Sequence, residues 1–444
     1  MKVLLVGSGG REHEFAKVIS SSYNEPELYA AMSKRNPGIS KLCKGFKIIS
    51  EDDCGIVDYA EKKKIELAVI GGETSLAASI SDLLWDAGIP TVGPKKLAAQ
   101  IETNKPWARE SIMEKHHIPG NPQYCIFRKN ENTAFDVGAY IDELISQDID
   151  PVIKPAGLTG GKGVRLFPDH FDIGGAKKYA AEVLKKSDLV IEERLRGEEF
   201  TLQAFVDGDT LAFGPAVQDE KRAREKGPNT GGMGSYNDSK DILPFMTQAD
   251  YDGAKKIMAD TAGAIKKETS IPYQGILYGQ FMAAAKGISV IEFNARGGDS
   301  EIINVLPLLK NDILDVFNAI VNGKLNKENV KFKKQATVFK YGVPEGYPGN
   351  PVVDRAIIIQ KPGNSQLIYA NVYESGENLY LTKSRAFGFL GVGDNLGAAE
   401  KNAEAGFSGV RGAIYHRPDI GTQEHISKAI LNMQELRGSD YLCQ

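Results

Sequence analysis

Cysteine is scarce in this chain. Of 444 residues only Cys43, Cys54, Cys125 and Cys443 carry a thiol, and they lie apart without CxxC or metal-ligand spacing. That excludes a disulfide framework and leaves free thiols suited to a reducing compartment. Histidine is nearly as sparse: the 6 residues are dispersed, so no nucleophile–histidine constellation can be read. No apolar run approaches the roughly 18 residues of a membrane-spanning helix. The opening MKVLLVG is too short for a signal peptide and ends in a glycine turn. Neither sign of charge dominates; a net charge of −4 with no basic stripe removes the electrostatic footprint of nucleic-acid binding. Repeats and low-complexity tracts are missing too. What is present, 42% hydrophobic and 25% charged residues, describes a soluble globular protein of about two to four domains. No membrane partner and a cytoplasmic location are expected.

The strand KVLLVG runs through a glycine turn into the helix REHEFAKVIS. ELYAAM and KKIELAVIGG, the latter followed by a helix over SLAASISDLLWDAG, repeat the alternation. Residues 1–103 are therefore expected to form a doubly wound parallel-sheet domain. The breaker-rich joint IPGNPQY (118–124) opens a small module at 124–195. It comprises strand YCIF, a helix near 133–146, strand PVIKP, a glycine loop, a helix near 173–186 and strand LVIEERL. Strands TLQAFVDG and TLAFGPAVQ follow, then a helix at 250–268, strands at 275–284 and 288–294, and a helix near 311–322. Lysine-bearing NGKLNKENVKFKK (322–334) reads as a linker. Beyond it, short β-rich runs with tight turns and a helix at 396–405 indicate a small α+β domain. The expected class is α/β and α+β multidomain, divided as 1–103, 104–330 and 331–444.

Three stretches carry chemistry. KPAGLTGGKGV (154–164) combines four glycines with two lysines, a composition that lets backbone amides close on a phosphate chain. It is not a P-loop, because Gly163 stands where the motif needs a serine or threonine after Lys162. GSGGREH (7–13) is no dinucleotide fingerprint either. Glu12 occupies the third glycine position, and AAMSKRN supplies no ribose-binding acid. A helix N-terminus with Ser8 and Arg11 beside it suits a phosphate monoester instead. VIEFNARGGDSE (290–301) places Glu292 and Asn294 two apart, on one face of a strand, as oxygen ligands for Mg²⁺ carrying nucleotide phosphates. Arg296 shares that face. Each stretch also has a bland reading, as a solvated turn or a surface strand; it is their combination that favours an active site.

The order KPAGLTGGKGV, VIEERLRGEEF, QDEKRAREKGPNTGGMGSY, VIEFNARGGDSE resembles the ATP-grasp ligases, and among them the phosphoribosylamine–glycine ligase family. VGSGGREH, Gly93-Pro94 and Asn104-Lys105 look like its N-terminal and joining segments, GPNTGGMG (227–234) like its most specific stretch, and YHRPDIG (415–421) like its C-terminal motif. The resemblance runs the whole length. It implies an N-terminal phosphoribosyl-substrate domain, an ATP-grasp domain whose lid is the 124–195 module, and a small C-terminal domain. The implied reaction joins glycine to 5-phosphoribosylamine with ATP, through a glycyl phosphate, in purine biosynthesis. Such chemistry needs alignment and charge neutralisation more than acid–base groups.

Carried over by position, Lys105 and Lys154 touch ATP phosphates, with Gly160, Gly161, Lys162 and Gly163 folding over them. Glu192, Glu193 and Leu195 match the hinge strand that meets adenine, with Glu199 as a ribose candidate. Glu292 and Asn294 match the ligands of Mg²⁺ or Mn²⁺. Ser8, Gly9, Gly10, Arg11, Gly72, Glu73 and Thr74 fall where the phosphoribosylamine sits. Asp219, Lys221, Asn229, Thr230 and Arg296 line the glycine and acyl-phosphate region. Pro155, Ala156, Gly297 and Ser300 depart from the family pattern without removing a phosphate or metal group. A monomer is expected, and the lability of the amine raises hand-over from the preceding pathway enzyme. The rival readings are another ATP-grasp ligase, such as a carboxylating purine enzyme, a nicotinamide-dependent oxidoreductase, and a non-catalytic nucleotide-binding regulator.

Overall fold

The apolar run Lys2–Val6 becomes the middle strand of a five-stranded parallel sheet ordered Gly45–Ile48, Glu27–Met32, Lys2–Val6, Leu67–Ile70, Thr91–Val92. With a strand on either side and helices on both faces, Val3 to Val6 are fully buried, which is why the run does not alternate. The structure is a computed structural model describing residues 1–158, 163–224, 227–360 and 363–443. Gly160, Gly161 and Lys162, expected to fold over phosphates, lie outside these residues. Strand order reverses between Lys2–Val6 and Leu67–Ile70, and the carboxyl ends of those two strands carry the Gly7–Arg11 and Gly71–Thr74 turns. Open α/β sheets bind ligands at such a switch point.

One expected helix is two. Glu73–Ala77 and Ile80–Asp86 are separated by Ser79, which takes a left-handed φ of +66°. Serine gains little from a helix interior, and the break still leaves Leu76, Ile80 and Leu84 in the core.

Two antiparallel sheets follow. Tyr124–Phe127, Leu189–Glu193, Pro151–Pro155 and Arg165–Leu166 form one, covered by helices Ala134–Ser146 and Ile173–Leu184 around a core of their own. Leu211–Phe213, Gly197–Asp207, Gln274–Ala284 and Gly287–Asn294 form the other, backed by helix Gln248–Thr269 with its Thr247–Asp250 capping box. A β-bulge interrupts the last pairing. Gln280 lies opposite Glu292 and Phe281 opposite Val290, so Ile291 is the extra residue. Between the first domain and these sheets runs a π-helix, Trp107–Glu114.

The last sheet crosses the boundary expected at 330. Gln218–Asp219 and Gly234–Asn237 pair onward to Ala336–Pro344, Phe387–Gly393 and Gln366–Tyr369. A closing helix, Gln423–Arg437, is additional to the expected elements; it buries only Ile426, Ala429 and Met433, too thin an apolar stripe to stand out in the sequence. No helix among the described residues is long and apolar enough to cross a membrane.

Candidate active site

A cavity of about 330 Å³ opens between the two antiparallel sheets and the Gly231 loop, lined among others by Lys154, Glu193, Leu195, Glu199, Asp219, Lys221, Asn229, Thr230, Glu292, Asn294 and Arg296. A smaller one of about 110 Å³ adjoins it at Lys105, Arg109, Lys154 and Glu192.

Strand alternation turns Lys154 and Glu192 inward, where they meet. Lys154 Nζ donates to Glu192 Oε2 at 2.5 Å and to the Ile291 carbonyl at 3.2 Å. Arg109 completes the group, donating from Nε and Nη2 to the two Glu192 oxygens at 2.8 and 3.0 Å, and from Nη2 to the carbonyls of Val290 and Ile291 at 3.1 and 2.7 Å. Burial pushes the Glu192 carboxyl up, but Arg109 and Lys154 outweigh it and hold the group at about 2. Glu192 is thus an anionic anchor for two cations, with its side chain fully engaged. Lys105 Nζ donates to the Gly157 carbonyl at 2.9 Å, Glu193 accepts from the Gln123 amide, and the Gly163 carbonyl accepts from Tyr179.

Glu292 and Asn294 point into the cavity from the last strand. Burial works against the Glu292 charge, yet Lys221, Lys105, Lys154 and Arg296 lower its pKa, so it is ionised. A carboxylate and an amide oxygen are hard donors, and among the described residues no group of three or more His, Cys, Asp or Glu could hold a metal. The pair therefore fits a cation that takes its remaining ligands from water and phosphate oxygens, as magnesium does. Arg296 is held from three sides: Nε donates to Glu73 Oε2 at 3.1 Å, Nη2 reaches Glu102 Oε1 at 2.9 Å and Asn294 Oδ1 at 3.3 Å. Arg296 lowers Glu73 to about 2 despite its burial. Burial raises Glu102 against the same pull, and its other oxygen accepts the Ala295 amide at 2.7 Å.

On the opposite wall, Lys221 Nζ donates to Glu199 Oε2 at 3.2 Å, an oxygen that also accepts from Gln280 at 2.7 Å. Glu199, Glu292 and Asp219 raise the Lys221 pKa against burial. Asp219 is raised far above the carboxylate range by burial and by Glu301, less the pull of Lys221 and Arg385. Its Oδ1 is buried without a hydrogen-bond partner among the described residues. Thr230 ties the loop back, donating from Oγ1 to the Lys221 carbonyl at 2.8 Å, while Asn229 is exposed at the mouth. Arg385, from the C-terminal domain, donates to Asp299 Oδ2 at 2.9 Å.

At the sheet's switch point Arg11 is buried, donating from Nε to Glu12 Oε1 at 2.7 Å and from Nη1 to the Gly297 carbonyl at 2.9 Å, with Glu73 4.0 Å away. Glu12 fills the space beside Gly7 and Gly71, which is where a dinucleotide loop would need a third glycine. It also accepts the Gly9 amide at 2.6 Å, so that amide already has an anionic partner. Ser8 donates to Glu51 at 3.1 Å. At Gly10 a Cβ would lie 2.4 Å from the Tyr341 hydroxyl. Gly72 and Glu73 begin the next helix, with Thr74 exposed.

The structure thus brings Lys154, Glu192, Glu199, Asp219, Lys221, Glu292, Asn294 and Arg296 to one cleft, Lys105 to the smaller cavity adjoining it, and Arg11 and Glu73 to its edge. Sequence reading missed Arg109, Glu102, Glu301 and Arg385. Two had a signal: Arg109 falls four residues after Lys105, one helical turn on, and Glu102 is an acid in the apolar face of KLAAQIET.

Two antiparallel sheets clamping a lysine-lined cleft, with a carboxylate and an amide at the end of one strand, define an ATP-grasp enzyme. Family profiles agree: the phosphoribosylglycinamide synthetase N domain matches residues 1–102, its ATP-grasp (A) domain 103–302 and its C domain 337–423. A phosphoribosylamine–glycine ligase of Methanosarcina barkeri is 50% identical over 442 residues, covering 99% of this chain and 100% of the relative. Another, from Methanocaldococcus jannaschii, is 46% identical over 449 residues, covering 98% and 100%. Among solved structures the Thermotoga maritima phosphoribosylamine–glycine ligase superposes with a TM-score of 0.77 at 24% identity, over 94% of this chain and 100% of that one. A biotin carboxylase of Campylobacter jejuni reaches 0.71 at 13% identity, over 100% and 98%, a likeness of fold. The chain belongs to the phosphoribosylamine–glycine ligase family.

Proposed function

We propose that this ligase joins glycine to 5-phosphoribosylamine in the cleft between the two antiparallel sheets. ATP lies between Lys154 and the Glu193–Leu195 segment, with Lys105 and Lys154 toward its phosphates and Glu199 toward its ribose. Glu292 and Asn294 hold Mg²⁺ or Mn²⁺, which when bound offsets phosphate charge. Arg296 and Lys221 align the glycine carboxylate, with Asp219, Asn229 and Thr230 around it. A carboxylate oxygen attacks the γ-phosphorus and ADP departs, leaving glycyl phosphate. The ribosylamine nitrogen attacks the acyl carbon, phosphate leaves, and the nitrogen gives up a proton. Arg11 and the Gly72–Thr74 turn hold the phosphoribosyl end. The ligase acts as a monomer in the cytoplasm.

The observation that supports this best is the convergence of Lys105, Lys154, Lys221 and Arg296 on ionised Glu292. That concentration of positive charge around one carboxylate is suited to a triphosphate with its metal. Phosphate release from ATP, with each substrate omitted in turn, tests the reading. Release should require glycine, and glycinamide ribonucleotide should form only with the amine present. Release supported by bicarbonate instead of glycine would assign a carboxylating reaction and overturn it.

A further inference from the structure

The motif YHRPDIG lies outside the cavity, yet it touches the cavity wall from behind. Strand periodicity sends Asp219 and Lys221 into the cleft and Glu220 to the opposite side. There Glu220 accepts from Arg417 Nη1 at 3.1 Å, and its other oxygen pairs with His425 Nε2 at 2.8 Å. Arg417, 2% exposed, also donates to Asp419 Oδ1 at 3.1 Å and to the Arg222 carbonyl at 3.2 Å. The neighbouring strand repeats the arrangement: Glu199 faces the cavity, while Glu198 behind it accepts from Asn432 at 2.6 Å and Gln218 at 3.1 Å.

We infer that Arg417 and His425 are positioning residues for the reaction, holding Lys221 and Asp219 at the acyl-phosphate region through Glu220. This rests on the proposed placement of Lys221 and Asp219 there. His425 sits in the first turn of helix Gln423–Arg437, where the helix dipole disfavours a cation. Burial also lowers its pKa, yet bonds to Asp419 and Glu220 override both and lift it to about 9. A protonated histidine kept at the wrong end of a helix serves its carboxylate partners rather than the helix. The Tyr236 ring meets the imidazole edge-on at 6.1 Å, fixing its plane. Glu220 is further locked through its backbone, its amide donating to the Gly234 carbonyl at 2.8 Å and its carbonyl accepting the Met233 amide at 2.6 Å. A pull on the carboxylate therefore acts on the whole Asp219–Lys221 strand end.

His425→Gln and Glu220→Gln test this, alone and combined, with Arg417→Lys as the conservative variant and Lys221→Ala as control. Steady-state rates at varied glycine and varied ATP, ATP binding by calorimetry, and Tm are measured for each. Losing one charge-assisted contact should lower kcat/KM for glycine about tenfold. ATP affinity should stay unchanged, the double variant should be no worse than the weaker single one, and Arg417→Lys should retain most of the activity. Wild-type glycine kinetics in both single variants would overturn the inference. So would losses that add, or that fall equally on ATP and glycine in step with Tm. Full activity in Lys221→Ala would instead remove the proposed site itself.

Discussion

Replacing Glu192 by glutamine is the sharpest probe of the anchor beneath the nucleotide cleft. The carboxylate lies between Arg109 and Lys154, with Arg109 and Glu192 side chains 5% and 4% exposed. Glutamine keeps the shape but leaves two buried cations without an anion, and breaking such a pair costs about 3–5 kcal/mol. The loss should be pH-dependent. The wild-type carboxyl is held at about 2 when folded, against 4.5 for the free group. Its contribution is therefore complete above pH 4.5 and is lost as pH falls toward 2. One extra proton taken up on unfolding gives a slope of about 1.4 kcal/mol per pH unit, so from pH 4.5 to about 3 the wild type should lose about 2 kcal/mol that Glu192→Gln does not. Urea unfolding followed by circular dichroism at stepped pH reads this directly: the two stability curves should converge on acidification. Parallel curves would refute the argument, since Glu192 would then be titrating normally in the folded protein.

Glu292→Gln should abolish turnover while leaving Tm and the circular dichroism spectrum intact, because the proposed metal site loses a carboxylate; activity at any magnesium concentration would contradict the ligand assignment. Arg11→Ala should raise KM for the phosphoribosyl substrate by about one to two decades and leave that for ATP alone, through loss of a charge-assisted contact of about 1.5–3 kcal/mol. Gly232→Ala should lower both Tm and kcat, since φ is +107° and the new Cβ would lie 2.7 Å from Asp219 Oδ1. A cost of about 1–3 kcal/mol is expected for such a backbone conformation, measured by thermal unfolding beside glycine-dependent rates.

The parts of this molecule legible in its sequence are those set by local rules. KVLLV reads as a buried parallel strand because it is apolar without alternation, and Glu292 and Asn294 read as neighbours because strand side chains repeat every two residues. Interactions that depend on distant chain were not legible. Arg109 finds Glu192 83 residues away and Glu102 finds the Ala295 amide 193 residues away, and neither carries a motif. Ser79 could not be read as a helix break, because nothing in SLAASISDLLWDAG departs from a helical period. The domain boundary at 330 followed composition, whereas the sheet joining Gly234–Asn237 to Ala336–Pro344 follows long-range pairing.

The extra residue at Ile291 resets the parity of its strand. Val290 is fully buried in the core, and in an unbroken ladder Glu292 would lie on that same side. Because Ile291 stays out of the pairing, Glu292 and Asn294 keep to the cavity side, opposite Gln280 and Tyr278. It also frees the Ile291 carbonyl from the ladder, and that oxygen is the one shared by Arg109 and Lys154. Excising Ile291 would thus leave the strand alternating smoothly, with Glu292 and Asn294 still facing the cleft. The lysine and arginine beside them would lose the main-chain acceptor on which they meet. Chain length at this one position, rather than side-chain identity, couples the cation anchor to Glu292 and Asn294, so an alignment gap there would mark a differently wired site even where every side chain is kept.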